Sequence, residues 1–267
     1  MLVSGFFLAK IGAKSDFGCI LYTMVRLILI SSLCFLIVIS ILSSASYSQR
    51  GLRFPSSARV TEDAAYNPNP SAIKVARLHY SGGGDWYWGS SAIPNFLEFI
   101  RNNTDYPVDT IEREVKIMDP DLFKYPFLFA TGHGAISFTE EERERLRKYL
   151  SSGGFLFVND SYGMESHFKK ELSSLFPERE IVELPFDHPI YYSFYDFPNG
   201  PPKIHEHDNK PPRGYAVILN GRVVTYFMVE SDIGDGWEDA QVHNDPEEKR
   251  AEALKMGLNI LTYALLY

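Results

Sequence analysis

Cysteine is almost missing from this chain: two residues in 267, Cys19 and Cys34, both close to the N-terminus. Beyond residue 34 there is no thiol nucleophile, no disulfide and no thiolate metal site. Basic charge is also scarce. Lys and Arg total 26 against 34 Asp and Glu, a formal net charge of −8. Lys10, Lys14 and Arg26 against Asp16 leave the first 48 residues positive, so the rest of the chain carries all of the acidic excess. An acidic body without a basic stripe excludes nucleic acid and anionic membrane surfaces as partners. Long apolar runs are limited to residues 27–42, which is short for a spanning helix of about 20 residues.

What is present describes a folded protein. Hydrophobic content of 45% and aromatic content of 14% exceed what a disordered chain carries. Residues 1–48 form a leader: Arg26, the apolar run 27–42, then small residues. That order is the pattern of a secretory signal peptide, with an uncleaved membrane anchor as the alternative. The expected location is therefore the cell envelope or periplasm, with membrane contact only through this N-terminal segment. Residues 49–72 are rich in Ser, Pro, Asn and Ala without periodicity and read as a flexible tether. One domain occupies residues 73–267.

The domain is organised around residues 125–164. Two short continuous apolar runs, 127–130 and 155–158, suit parallel strands buried on both faces. Between them Thr139 and Glu142 form a capping box, acids crowd the first turn, and Gly153 can end the helix. Strand, helix, strand is a right-handed βαβ unit, and ligands of such sheets bind outside the carboxyl ends of the strands. A first strand at 74–80 ends in Ser-Gly-Gly-Gly-Asp-Trp, which lacks the Lys of a phosphate-binding loop. An amphipathic helix is expected over 91–102, an edge strand over 114–118, a helix over 165–176 and a strand over 181–184. Asn220-Gly221 marks a hairpin between 216–219 and 223–229. Asp245-x-x-Glu248, with Pro246 at the first helical position, opens a closing helix with Leu254, Leu258, Leu261 and Leu265 inward. These elements describe a doubly wound, flavodoxin-like α/β fold with a mostly parallel sheet, a C-terminal β-hairpin and a closing helix.

Several motifs together, GGGDW, TGHG, SSGGFLFVND, LPFDHP, FPNGPPKIHEHD and the Asp232–Asp245 stretch, resemble the bacterial domain of unknown function 4159 family. The resemblance runs from about residue 73 to the C-terminus. It implies a class I glutamine amidotransferase-like fold, similar also to ThuA-type proteins, and it implies no established activity. Amidotransferases of that group place a cysteine nucleophile after the strand that follows the Gly-Gly step. Here that place reads Asn159-Asp160-Ser161-Tyr162-Gly163, so glutamine hydrolysis through a thiolate is excluded.

Candidate chemistry gathers at the expected carboxyl ends of the strands. His133 in Thr-Gly-His-Gly and Asp160 are the candidate catalytic groups, for acid/base work or ligation; a structural His satisfied by the turn is the alternative for His133. Ser161 is a further candidate nucleophile, although Asn replaces the first Gly of G-x-S-x-G and an imidazole would have to approach from elsewhere. His205 and His207, two apart on an extended segment, are candidate ligands of a divalent metal ion, or loop histidines capped by carboxylates. Asp235 and Glu238, with His243, Asp85, Trp86 and Trp237, are candidate contacts for a polar small molecule or carbohydrate. For the tryptophans the alternative is packing. The expectation is one pocket shared by Asp85, His133, Asp160, His205, His207, Glu238 and His243. It belongs either to a polar-ligand-binding domain or to a metal-dependent hydrolase.

Overall fold

The computed structural model describes residues 52–54, 69 and 71–267. The leader and most of the tether lie outside the described residues. Among the described residues no helix is long and apolar enough to cross a membrane.

The elements in chain order are β1 (Val75–His79), α1 (Ala92–Asn103), β2 (Arg113–Lys116), a 3-10 turn (Leu122–Lys124), β3 (Phe127–His133), α2 (Glu140–Ser151), β4 (Phe155–Tyr162), α3 (Glu165–Leu175) and β5 (Val182–Glu183). A second 3-10 turn (Pro189–Tyr191) precedes β6 (Arg213–Leu219) and β7 (Arg222–Val229). Two four-residue helices, α4 (Ile233–Gly236) and α5 (Ala240–His243), lead into the closing helix α6 (Glu247–Leu266). One seven-stranded sheet has the order β2-β1-β3-β4-β7-β6-β5. Only β6 runs against its neighbours. The direction of winding reverses between β1 and β3, which opens a crevice at their carboxyl ends.

Strand periodicity divides the core. Phe127, Phe129, Phe155 and Phe157 point to the side covered by α1 and α6. Leu128, Ala130, Leu156 and Val158 point to the side covered by α2 and α3. Each of these phenylalanines is fully buried and contributes roughly 1.5–3 kcal/mol of transfer free energy. The doubly wound arrangement follows from having both faces of β3 and β4 apolar.

Local signals give the expected elements. The Thr139–Glu142 capping box forms in both directions, at 3.2 and 2.8 Å. Asn220 and Gly221, at φ 52° and 81°, make the tight hairpin between β6 and β7. The closing helix differs from expectation. Pro246 occupies its N-cap, no side chain caps it, and the Asp245 carboxylate is used elsewhere. Leu254, Leu258 and Leu261 are buried as expected, whereas Leu265 is exposed because α6 runs past the end of the sheet's apolar cover.

Candidate functional site

The carboxyl end of β7 turns sharply. Glu230 and Asp232 both hold left-handed backbone, at φ 56° and 60°. Aspartate tolerates this conformation better than most side chains, but two such residues around Ser231 store strain, which concentrates at functional sites. The turn buries the Asp232 carboxylate to 1% exposure. Asp232 Oδ1 accepts from Asn159 Nδ2 at 3.0 Å, which ties the turn to the end of β4.

Around Asp232 stand three imidazoles and three more carboxylates. His205 Nδ1 lies 3.3 Å from Asp232 Oδ2 and 3.5 Å from Asp235 Oδ2. His243 Nε2 lies 3.4 Å from the same Asp235 oxygen and 2.8 Å from Glu238 Oε2. The ligand-capable atoms of His205, Asp235 and His243 all fall within 4.8 Å of one another. His207 Nε2 is buried 3.5 Å from Asp232 Oδ2 and makes no hydrogen bond. Among the described residues none of Asp232, Asp235, Glu238 and Asp245 pairs with Lys or Arg.

The outward atoms of four of these side chains are occupied. Asp245 sits 3.0 Å from His205 Nε2. Trp88 Nε1 donates to Asp235 Oδ1 at 2.9 Å, and Ser91 Oγ donates to Glu238 Oε1 at 3.3 Å. With Asn159 on Asp232, every carboxylate facing inward has its other oxygen, and His205 its other nitrogen, held by an outer partner. The electrostatics follow. Asp232 and Asp235 beside it hold the His205 imidazole up to about 10, against the cost of burial. Asp232 raises His207 as well. Burial opposes ionisation of Asp232, but the nearby His205 and His207 imidazoles and the Asn159 amide overcome it and hold its carboxyl below the usual range. Without a metal, His205 stands as an imidazolium among carboxylates.

A second group lies in the crevice between β1 and β3. Asp85, on the loop after β1, accepts the backbone N–H of His133 on one oxygen and faces His133 Nδ1 at 3.1 Å with the other. Gly132 makes this possible: a Cβ there would stand 2.8 Å from the Asp85 carboxylate and 2.4 Å from the Tyr80 hydroxyl. Trp88 joins the two groups, edge-on to His133 with centroids 4.7 Å apart and tilted toward His243 at 6.4 Å. Buried Arg77 fixes the Trp88 loop through the carbonyls of Trp88 and Gly89.

The structure thus brings together His205, His207, Asp235, Glu238 and His243, with Asp85 and His133 alongside across Trp88. It separates four expected contributors from them. Asp160 points to the opposite face of β4 from Asn159, where its Oδ1 accepts from Met164 N at 2.9 Å at the start of α3. Burial raises its carboxyl to about 6 despite bonds from Met164 and Glu165 amides. Ser161 is fully buried, bonded to Thr131 and Asn159 and to no imidazole, so the serine-nucleophile arrangement is not formed. Trp237 offers no platform to a ligand. It is fully buried, stacked on Phe96 at 4.3 Å, and its N–H is bound to Ala253 O. Trp86 packs on the α2–α3 side with one ring face covered by His79 at 3.8 Å. Sequence reasoning passed over Trp88, Asp232 and Asp245 as site residues. Asp232 stood within the acidic stretch already noted, but Asp245 carried a capping signal that pointed the other way.

An open cavity of about 420 Å³ lies elsewhere, between loop 195–202 and Glu252 and Lys255 of α6. No imidazole lines it.

No curated protein matches the chain. Among solved structures, a chain titled "mmIFT52 N-terminal domain" is similar at 16% identity with a TM-score of 0.39, covering 71% of this chain and 97% of that one. That likeness is too low to carry an argument. The family model described as "Domain of unknown function (DUF4159)" matches residues 74–265, and the chain belongs to that family.

Proposed function

We propose that this domain binds a divalent transition-type cation at the carboxyl edge of its sheet, acting outside the cytoplasm as the leader suggests. The cation's ligands are His205, Asp235 and His243, with Asp232 and Glu238 completing the set. One observation carries the reading: inward atoms converge while the outward atoms of Asp232, Asp235, Glu238 and His205 are held by partners. Outer partners of that kind fix ligand orientation in metal centres. The spacing supports it. Bonds of about 2.1 Å in a tetrahedron put ligand atoms about 3.4 Å apart, which matches the 3.4 and 3.5 Å separations about Asp235 Oδ2. A mixed imidazole–carboxylate set suits Zn²⁺, Mn²⁺ or Fe²⁺ rather than Ca²⁺, which takes oxygen ligands.

Elemental analysis and calorimetry of the purified full chain test the reading. The expected result is one divalent ion per chain, with proton release on binding and affinity that rises with pH, because the imidazoles must lose their protons to ligate. Zinc binding no tighter in wild type than in His205→Ala and His243→Ala proteins would retire it.

A further inference from the structure

We infer that His133 is a general base for hydrolysis of an uncharged ester or amide at the crevice between β1 and β3, with Asp85 and Trp88 as its positioning residues. This rests on the cation site proposed above, which would supply the charge that stabilises an oxyanion. Four observations converge. Asp85 holds both the His133 backbone N–H and Nδ1, the latter at 3.1 Å, so the ring's orientation is fixed twice. A carboxylate at Nδ1 accepts the proton there and leaves Nε2 as the acceptor. Among the described residues Nε2 has no hydrogen-bond partner, and the side chain is 40% exposed. Trp88 packs edge-on against this ring while its N–H holds Asp235, so one indole sets the distance between the base and the cluster. Finally, the pair lies at the reversal of strand order, where ligands of open α/β sheets bind.

The substrate class follows from charge. Asp232, Asp235, Glu238 and Asp245 bring four carboxylates against one divalent ion, with no Lys or Arg paired to them among the described residues. A phosphoryl anion entering this site would be repelled; a neutral carbonyl would not. In the step, water gives a proton to His133 Nε2 as its oxygen bonds to the carbonyl carbon. The tetrahedral oxyanion then collapses, the bond to the leaving oxygen or nitrogen breaks, and His133 returns the proton to that atom. Nothing is oxidised or reduced.

The test uses zinc-loaded full chain and p-nitrophenyl acetate, with zinc content measured in every sample. Wild type should hydrolyse the probe with saturation. His133→Ala should lower kcat by at least about a hundredfold, the range of a positioned acid/base group, with zinc content unchanged. His167→Ala, an exposed histidine on α3, should change nothing, which separates a built site from adventitious imidazole catalysis. Asp85→Asn should lower kcat with KM unaltered, and Asp85→Glu should restore part of it. Loaded wild type that is no faster than loaded His133→Ala overturns the inference. Hydrolysis that requires His133 in a wild-type protein that takes up no zinc would keep the base and overturn the cation site instead.

Discussion

Carboxylates on the two sides of this sheet meet different cations, and the contrast separates a structural ion pair from a site. On the α2–α3 side, buried Glu171 is bound by Arg143 through two bonds, Nε to Oε2 at 3.0 Å and a second nitrogen to Oε1 at 3.3 Å. Arg147 similarly clasps Glu178 and the carbonyl at the end of α3. At the rim, among the described residues, the cationic partners of Asp232, Asp235, Glu238 and Asp245 are all imidazoles. A guanidinium cannot give up its proton, whereas an imidazolium can. The first arrangement is fixed at every ordinary pH. The second can exchange protons for a metal ion.

The comparison breaks most visibly at Arg143. Arg143→Ala leaves Glu171 buried and unpaired, so urea unfolding should show a loss of about 3 kcal/mol, while calorimetry shows unchanged zinc affinity. A change in zinc affinity would mean that the two sides are coupled and the contrast is false. The reverse case is Asp245→Ala. It removes only the outer partner of His205 Nε2, and zinc affinity should fall about 10- to 100-fold. An unaltered isotherm would deny Asp245 an orienting role.

Proton linkage sharpens the contrast with a sign. The His205 imidazole is raised from 6.5 to about 10 in the fold, so its contribution to stability is complete below about pH 6.5 and is lost as pH rises toward 10. The lowered Asp232 carboxyl describes the same interaction from the other partner and is counted once. In chelator, stability should therefore fall between about pH 6.5 and pH 9.5 by an amount on the order of 1 kcal/mol or more. His205→Gln should show a smaller fall over that window, the remainder belonging to His207, and with zinc present the wild-type trend should reverse. A metal-free wild type that tracks His205→Gln at both ends would remove the imidazolium from the account.

The smallest effect is expected at Asp160, which belongs to the structural side. Its carboxyl is raised toward 6, so the native state binds the proton more tightly and stability falls as pH rises from about 4 through 6. Asp160→Asn keeps an acceptor for Met164 N–H and removes the buried charge. It should stabilise the protein at pH 8 and hardly at all at pH 4, where the carboxyl is already neutral in the fold. Stability lost at pH 8 but not at pH 4 would show that the charge itself supports α3.

How much of this was legible in the sequence depended on the range of the interaction. The Thr139–Glu142 box and the Asn220-Gly221 turn act over two to four residues, and both formed as read. The unbroken apolar runs of β3 and β4 required helices on both faces, and these are present. Asp245 shows the limit of local reading. Its spacing before Glu248 fits a cap, yet His205, forty residues earlier, takes the carboxylate because the loop brings a charged imidazole within 3.0 Å. The two histidines of His205-Glu206-His207 illustrate the same limit: both approach Asp232, but the set that converges on one point recruits His243 instead of His207.

By itself the sequence determined the sheet, its winding and the lack of a thiol in the domain, because these follow from periodicity, caps and residue types. Only the tertiary structure decided which side chains share that edge. Alternation along β4 sends Asn159 toward Asp232 and Asp160 to the far face. The Gly234–Gly236 turn carries Trp237 into the phenylalanine core, while Trp88 is left to join His133 to Asp235. Strand parity and the path of a loop fix such choices, and both depend on register and packing against partners far away in the chain.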